Sequence, residues 1–196
     1  LAATDSYRLA EKKVKLTTAG PEDERRCIVP ARTLQEVMRV IGADSGDESE
    51  VSDITLYVSD NQCLFVVGGT DIVSRLIEGR YPDYQQIIPN KQQARASVDR
   101  QEMTRAVKAA AIFSKLGVND ITLNFNPEKK SVVVSAGSGQ AGDHTSTLSA
   151  AISGEPVSII LNSRYLLDVL ATLDEESVLI EVVDGDTPCL LRDGES

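Results

Sequence analysis

A short apolar strand, an amphipathic helix and an alternating strand follow one another three times along this chain, and that repetition limits its fold more than any other feature. The first copy runs Cys27-Ile28-Val29-Pro30, a helix from Thr33 to Ile41, then Asp53-Ile54-Thr55-Leu56-Tyr57-Val58. The second runs Ala96-Ser97-Val98, a helix from Asp99 to Lys115, then Asp120-Ile121-Thr122-Leu123-Asn124-Phe125. The third runs Val157 to Leu161, a helix from Asn162 to Leu173, then Val178 to Val182. The string Asp-Ile-Thr-Leu opens the alternating strand of both the first and the second copy.

Alternation with period two puts Ile54, Leu56 and Val58, or Ile121, Leu123 and Phe125, or Val178, Ile180 and Val182, on one face. One dry face and one wet face is the pattern of an antiparallel sheet. Turn residues follow each time (Asp60-Asn61, Asn126-Pro127, Asp184-Gly185-Asp186), and a returning strand comes next: Cys63–Val67, Ser131–Ser135, Cys189–Leu191. The first two copies add a further strand, Asp71–Ile77 and His144–Ile152. The repeat is therefore βαβββ, in an α+β fold, with the third copy expected to lack its last strand. Asp99 with Glu102 forms a capping box, and Asn162 is a good N-cap. The segment Pro82–Gln93, rich in Pro, Gln and Asn, reads as a linker. It divides the chain into an incomplete domain, residues 1–89, and a nearly complete one, residues 90–196.

Composition narrows the function. The net charge of −10 repels nucleic acid and anionic membranes on average, so any DNA contact needs a local basic patch. No run approaches the ~18 apolar residues of a membrane span. The N-terminal Leu1-Ala-Ala-Thr has neither Met nor a signal-peptide core, so the chain is expected to start within a longer one. The three cysteines, Cys27, Cys63 and Cys189, form no Cys-x-x-Cys pair, which argues against zinc and disulfides and for buried thiols in a reducing cytoplasm. The single histidine, His144, leaves no material for a histidine metal site or a hydrolase triad. No phosphate-binding loop, dinucleotide fingerprint or nucleophile elbow occurs. The Gly-rich stretch 136–142 joins two strands and reads as a loose hairpin, and the acidic stretch from Asp44 to Asp53 as a solvated loop. No cofactor, metal or catalytic residue is expected.

The helical wheels carry more. Core stripes fall on Leu34, Val37, Met38 and Ile41, on Met103, Ala106, Val107 and Ala110, and on Leu166, Val169, Leu170 and Leu173. Opposite them lie Arg32 and Arg39, then Arg105, Lys108 and Lys115, then Arg164. An acidic chain thus directs cations outward from all three repeated helices, a surface suited to phosphate backbones without reading sequence. Asp168 and Glu175 break the pattern on the third helix. Ile112, among the cations of the second helix, with Phe113 at the stripe's edge, marks either an interface or a helix buried on two sides.

Three strings resemble one family. Thr4-Asp5-Ser6-Tyr7-Arg8-Leu9 is similar to the Thr-Asp-(Gly/Ser)-(His/Tyr)-Arg-Leu motif of bacterial sliding clamps, the beta subunit of DNA polymerase III. Glu78-Gly79-Arg80-Tyr81-Pro82-Asp83-Tyr84, followed by Ile87-Ile88-Pro89, resembles a second string of that family, and Asn162-Ser163-Arg164-Tyr165-Leu166-Leu167-Asp168 its third-domain helix start. The family builds three domains, each of two βαβββ halves, and closes two chains into a ring with sheets outside and helices on the inner face. The resemblance implies that residues 1–89 are the second half of the middle domain and 90–196 the C-terminal domain, without its final strand and tail.

The resemblance also implies sites. A hydrophobic pocket at the junction of middle and C-terminal domains takes short partner peptides of Gln-x-x-(Leu/Met)-(Phe/Leu) type. Carried over by motif position, it comprises Thr4, Ser6, Tyr7, Arg8, Leu9, Pro82, Gln86 and Ile87, with Gln86 where many clamps have Arg. Arg32, Arg39, Arg105, Lys108 and Arg164 would face duplex DNA, and Ile112 and Phe113 would meet the next subunit. The implied protein is no enzyme. It is a cytoplasmic, nucleoid-associated processivity factor, a homodimeric ring at full length, bound by the polymerase III alpha subunit and the clamp loader. The rivals are a Mg²⁺-dependent enzyme using surface carboxylates and a protein-interaction scaffold without DNA contact.

Overall fold

The computed structural model describes residues 1–16, 25–44, 53–115, 117–137, 139 and 142–194. They fall into two compact units, one of residues 1–2 and 11–83, the other of residues 3–10 and 84–196. The chain opens with a hairpin, β1 (Ala2–Thr4) and β2 (Leu9–Glu11), whose tip belongs to the second unit. The first unit continues with α1 (Ala31–Asp44), β3 (Ile54–Val58), β4 (Gln62–Val67) and β5 (Thr70–Arg75), the strands forming an antiparallel sheet β3-β4-β5. Most of the acidic stretch before β3 lies outside the described residues, as do residues 138, 140 and 141 of the Gly-rich one.

The second unit holds two repeats. One comprises β6 (Ala94–Asp99), α2 (Arg100–Phe113), β7 (Asp120–Asn126), β8 (Ser131–Gly137), β9 (Asp143–Ser149) and β10 (Ala151–Gly154). The other comprises β11 (Val157–Asn162), α3 (Ser163–Leu170), β12 (Ser177–Val182) and β13 (Leu190–Asp193). The strand expected over His144–Ile152 is thus split: β9 pairs with β8, and after Ala150 the chain continues as β10 against β6. The β8–β9 hairpin keeps its register to Gly137 opposite Asp143.

The two repeats exchange their first strands. The sheets run β10-β6-β12-β13 and β11-β7-β8-β9, so β6 is completed by β12 of the other repeat and β11 by β7. Helices α2 and α3 pack on each other, and one continuous core results, with Met103, Val107, Leu123, Val132, Val134, Val178 and Ile180 sealed off from solvent. The caps behave as the sequence predicts: Asp99 accepts from the N–H of Glu102 at 2.7 Å, and Asn162 from those of Arg164 at 3.0 Å and Tyr165 at 3.4 Å.

This exchange accounts for most departures from the sequence reading. The first unit holds a single repeat, so nothing there plays the part of β12. Cys27–Pro30 consequently forms no strand, and among its backbone groups the Ile28 carbonyl accepts from the Ile77 N–H at 2.8 Å. Of the stripe assigned to α1, Val37 is buried, but Leu34 is 37% and Met38 70% exposed. Ile54 and Leu56, placed on a dry face, are 47% and 44% exposed, because β3 is a sheet edge with no second repeat over it. Cys27, expected to be buried, is exposed, while Cys63 is buried and Cys189 half-buried, all three free. Helix α2 ends at Phe113 rather than Lys115 and α3 at Leu170 rather than Leu173; Leu173 still packs on the core from beyond the helix end.

Candidate peptide-docking tip, basic helix faces and apolar edge

The tip of the first hairpin is closed from within by its own side chains. Thr4 Oγ1 donates to the Arg8 carbonyl at 2.8 Å and accepts from the Ser6 N–H at 3.2 Å. Asp5 Oδ1 accepts from the N–H groups of Tyr7 and Arg8 at 3.1 and 3.0 Å, the usual way an aspartate builds a turn. Ser6 takes the left-handed φ of 75° that this tight turn demands. The Tyr7 amide above all, with smaller help from the Arg8 side chain and amide, holds the Asp5 carboxyl below its ordinary range against an opposing desolvation.

Beyond the tip, two side chains of α3 complete the cluster. Arg8 Nη1 donates to Asp168 Oδ2 at 2.5 Å while its Nε donates to Asp5 Oδ2 at 2.9 Å. The guanidinium carbon lies 4.6 Å from the centre of the Tyr165 ring, and the Tyr7 and Tyr165 rings are 6.2 Å apart, tilted by 35°. Asp168 first, then Asp5, hold Arg8 further in its charged form. Tyr7 is 81% exposed and Leu9 half-buried. Gln86 closes a single 3-10 turn (Tyr84–Gln86), and Ile87, 59% exposed, follows it. Seven predicted docking residues, Thr4, Ser6, Tyr7, Arg8, Leu9, Gln86 and Ile87, therefore belong to the second unit; Pro82 is exposed in the first. Tyr165 and Asp168 were not predicted for this site. Two signals were available: their spacing of three, which puts them on one helix face, and their place in the family-like string Asn162–Asp168.

All five residues assigned to DNA are exposed: Arg32 and Arg39 on α1, Arg105 and Lys108 on α2, Arg164 on α3. The face of α1 is less positive than its cations imply, because Arg39 and Glu36 form an ion pair at 2.5 Å, and Arg39 holds the Glu36 carboxyl below its ordinary range. Arg100, passed over in the sequence, caps α3: its Nε donates to the Glu175 carbonyl at 2.7 Å and its Nη1 to the Leu170 carbonyl at 3.4 Å. At the end of α2, Ile112 is 74% exposed, and half-buried Phe113 stacks on His144 of β9, with ring centres 5.4 Å apart and 12° between planes. His144 Nε2 also shares a hydrogen bond with Ser146 Oγ at 2.9 Å. Strand β9 is a sheet edge, so an apolar side chain and an open backbone ladder occur in one repeat.

Two further features bear on chemistry. Among the described residues no three His, Cys, Asp or Glu side chains gather as metal ligands. An open depression of about 370 Å³ lies in the first unit between Arg25–Ile28, Val58–Asp60 and Leu76–Gly79, lined by none of the predicted site residues. No described helix is long and apolar enough to cross a membrane.

Comparison with known proteins matches residues 1–83 to the family described as DNA polymerase III beta subunit, central domain, and residues 85–196 to DNA polymerase III beta subunit, C-terminal domain. The beta sliding clamp of Synechococcus elongatus is 32% identical over 190 residues, covering 97% of this chain and 50% of that protein. That of Staphylococcus aureus is 29% identical over 191 residues, covering 97% and 48%. The chain spans about half the length of the curated relatives it matches. Among solved structures, a DNA polymerase sliding clamp from Bacillus subtilis superposes with a TM-score of 0.88 at 27% identity, over 100% of this chain and 50% of that one. A sliding clamp from Bartonella birtlesii gives 0.88 at 26% identity, over 100% and 54%.

Proposed function

The chain belongs to the DNA polymerase III beta subunit family, and from that premise we propose that it forms the rear half of a sliding clamp. At full length the clamp encircles duplex DNA as a homodimeric ring and confers processivity without catalysing a reaction. It is a cytoplasmic protein that works at the nucleoid. It holds the polymerase III alpha subunit, the clamp loader and repair partners through short hydrophobic peptides. Residues 1–89 are the second half of the middle domain, and residues 90–196 the C-terminal domain. Arg32, Arg39, Arg105, Lys108 and Arg164 approach DNA phosphates, where sequence-independent sliding needs charge without base contacts. Ile112 and Phe113, next to the β9 edge, meet the neighbouring subunit.

The observation that carries this reading is the hairpin tip. The motif residues Thr4 and Asp5 shape the turn, Arg8 bridges to α3, and Tyr7 and Leu9 are left as a partly exposed apolar wall. A Leu or Phe side chain of a peptide buried on such a wall contributes about 1.5–3 kcal/mol. Titration of a labelled Gln-Leu-x-Leu-Phe peptide into this chain tests the proposal. Leu9→Ala and Ile87→Ala are each expected to weaken binding by about tenfold or more. Equal affinity for wild type and both variants would move the docking site elsewhere.

A further inference from the structure

Asp168 is out of place on the outer face of α3. It adds negative charge beside Arg164, on a surface otherwise supplied with cations, and so opposes any phosphate that approaches. Its partner explains it. Arg8, distant in sequence, reaches Asp168 with Nη1 and rests its guanidinium on the ring of Tyr165, three residues earlier on the same helix face. The hydrogen bonds inside the hairpin fix the shape of the tip but not where it points. The contacts of Arg8 and Tyr7 with Tyr165 and Asp168 do that.

We infer that Asp168 is a positioning residue for peptide docking: its carboxylate seats Arg8 on Tyr165 and thereby holds the Tyr7–Leu9 wall against α3. Arg8 is then a strut with two carboxylates already on it, not a free cation waiting for an acidic peptide. With Asp168 neutral, Arg8 keeps Asp5, which travels with the tip, and loses its charged hold on the helix. The wall stays intact in shape but samples more orientations, and a peptide must restrict them on binding.

This inference rests on the peptide-docking reading, but one arm of its test does not. In the 196-residue chain, Asp168→Asn removes the charge and keeps the shape. Without peptide, the NOE cross-peaks between the Tyr7 and Tyr165 rings are expected to weaken several-fold, while amide exchange at Tyr7, at Arg8 and in the α2 and α3 core and the melting temperature stay unchanged. With the Gln-Leu-x-Leu-Phe peptide, affinity is expected to fall about two- to fivefold, the range of a partly exposed ion pair. Asp168→Glu, which keeps the charge, is expected to recover most of both effects. Unchanged Tyr7–Tyr165 cross-peaks in Asp168→Asn overturn the positioning role. So does faster exchange throughout α3, which would mean a stability effect. If wild type fails to bind the peptide while Asp168→Asn still frees the tip, the docking reading falls and the anchoring of the tip stands.

Discussion

Leu56 and Leu123 occupy the same place in the same Asp-Ile-Thr-Leu string, one in each unit, and the structure gives them opposite surroundings. Leu123 is fully buried in β7, flanked by Ile159 of β11 and Val134 of β8. Leu56 lies on the edge strand β3 and is 44% exposed. Truncating Leu123 to Ala loses the transfer free energy of its side chain and leaves a cavity that neighbours in two other strands cannot fill, about 3–5 kcal/mol. Truncating Leu56 loses only part of the transfer free energy and leaves no closed cavity, about 1 kcal/mol. Urea titration followed by residue-resolved hydrogen exchange separates the units: β7 and β8 amides report Leu123→Ala, β4 amides report Leu56→Ala. A cost for Leu56→Ala equal to that for Leu123→Ala would refute the reasoning, because it would require the first unit to be enclosed as the second is.

Four further outcomes follow from the sites. Replacing Arg32, Arg39, Arg105, Lys108 and Arg164 together with Glu is expected to cut processive synthesis by the full-length clamp while leaving peptide affinity unchanged; primer-extension lengths under single-hit conditions measure it. The pair Ile112→Ala and Phe113→Ala is expected to shift full-length protein from dimer toward monomer in analytical ultracentrifugation, with a modest stability loss confined to Phe113, which alone of the two is half-buried. Because the Asp5 carboxyl is held below its ordinary range, its contribution to tip order is complete above the unfolded-chain value near pH 4 and disappears as pH falls through the lower folded value. Protection of the Tyr7 and Arg8 amides should therefore be flat from neutral pH down to about 4 and fall only below it. Iodoacetamide at pH 8 is expected to label exposed Cys27 first, with Cys63, sealed in the first unit's core, and half-buried Cys189, whose thiol burial pushes up to about 11, labelled slowly or not at all; peptide mass mapping gives the order.

The repeat was legible because period two in Ile121, Leu123 and Phe125 and a helical stripe in Met103, Ala106, Val107 and Ala110 are local patterns, and the folded second unit buries all seven. The caps at Asp99 and Asn162 were legible for the same reason. Burial in the first unit was not, because an apolar residue reads as core whether or not its cover is present. Leu34, Met38, Ile54 and Leu56 carry the same pattern as their buried counterparts and lack the strand exchange that seals the other unit. At the tip, Thr4, Asp5 and Ser6 could be read as a turn from their neighbours. Asp168 could not be read as part of it, since its partner Arg8 lies 160 residues away. The Glu36–Arg39 pair was within reach, being three residues apart on one helix, and counting cations alone passed over it.

The strand that serves two sheets also sets how the second unit carries force. β9 lies at the rim of one sheet and β10 at the rim of the other, and only Ala150 stands between them, buried, with its N–H donating to the Lys130 carbonyl at 3.0 Å. A pull along β9 cannot unzip that sheet alone. It is passed through Ala150 into β10, and there it reaches the hydrogen bonds to β6. The two sheets are thus spliced in series, and a load applied at the apolar edge reaches both of them.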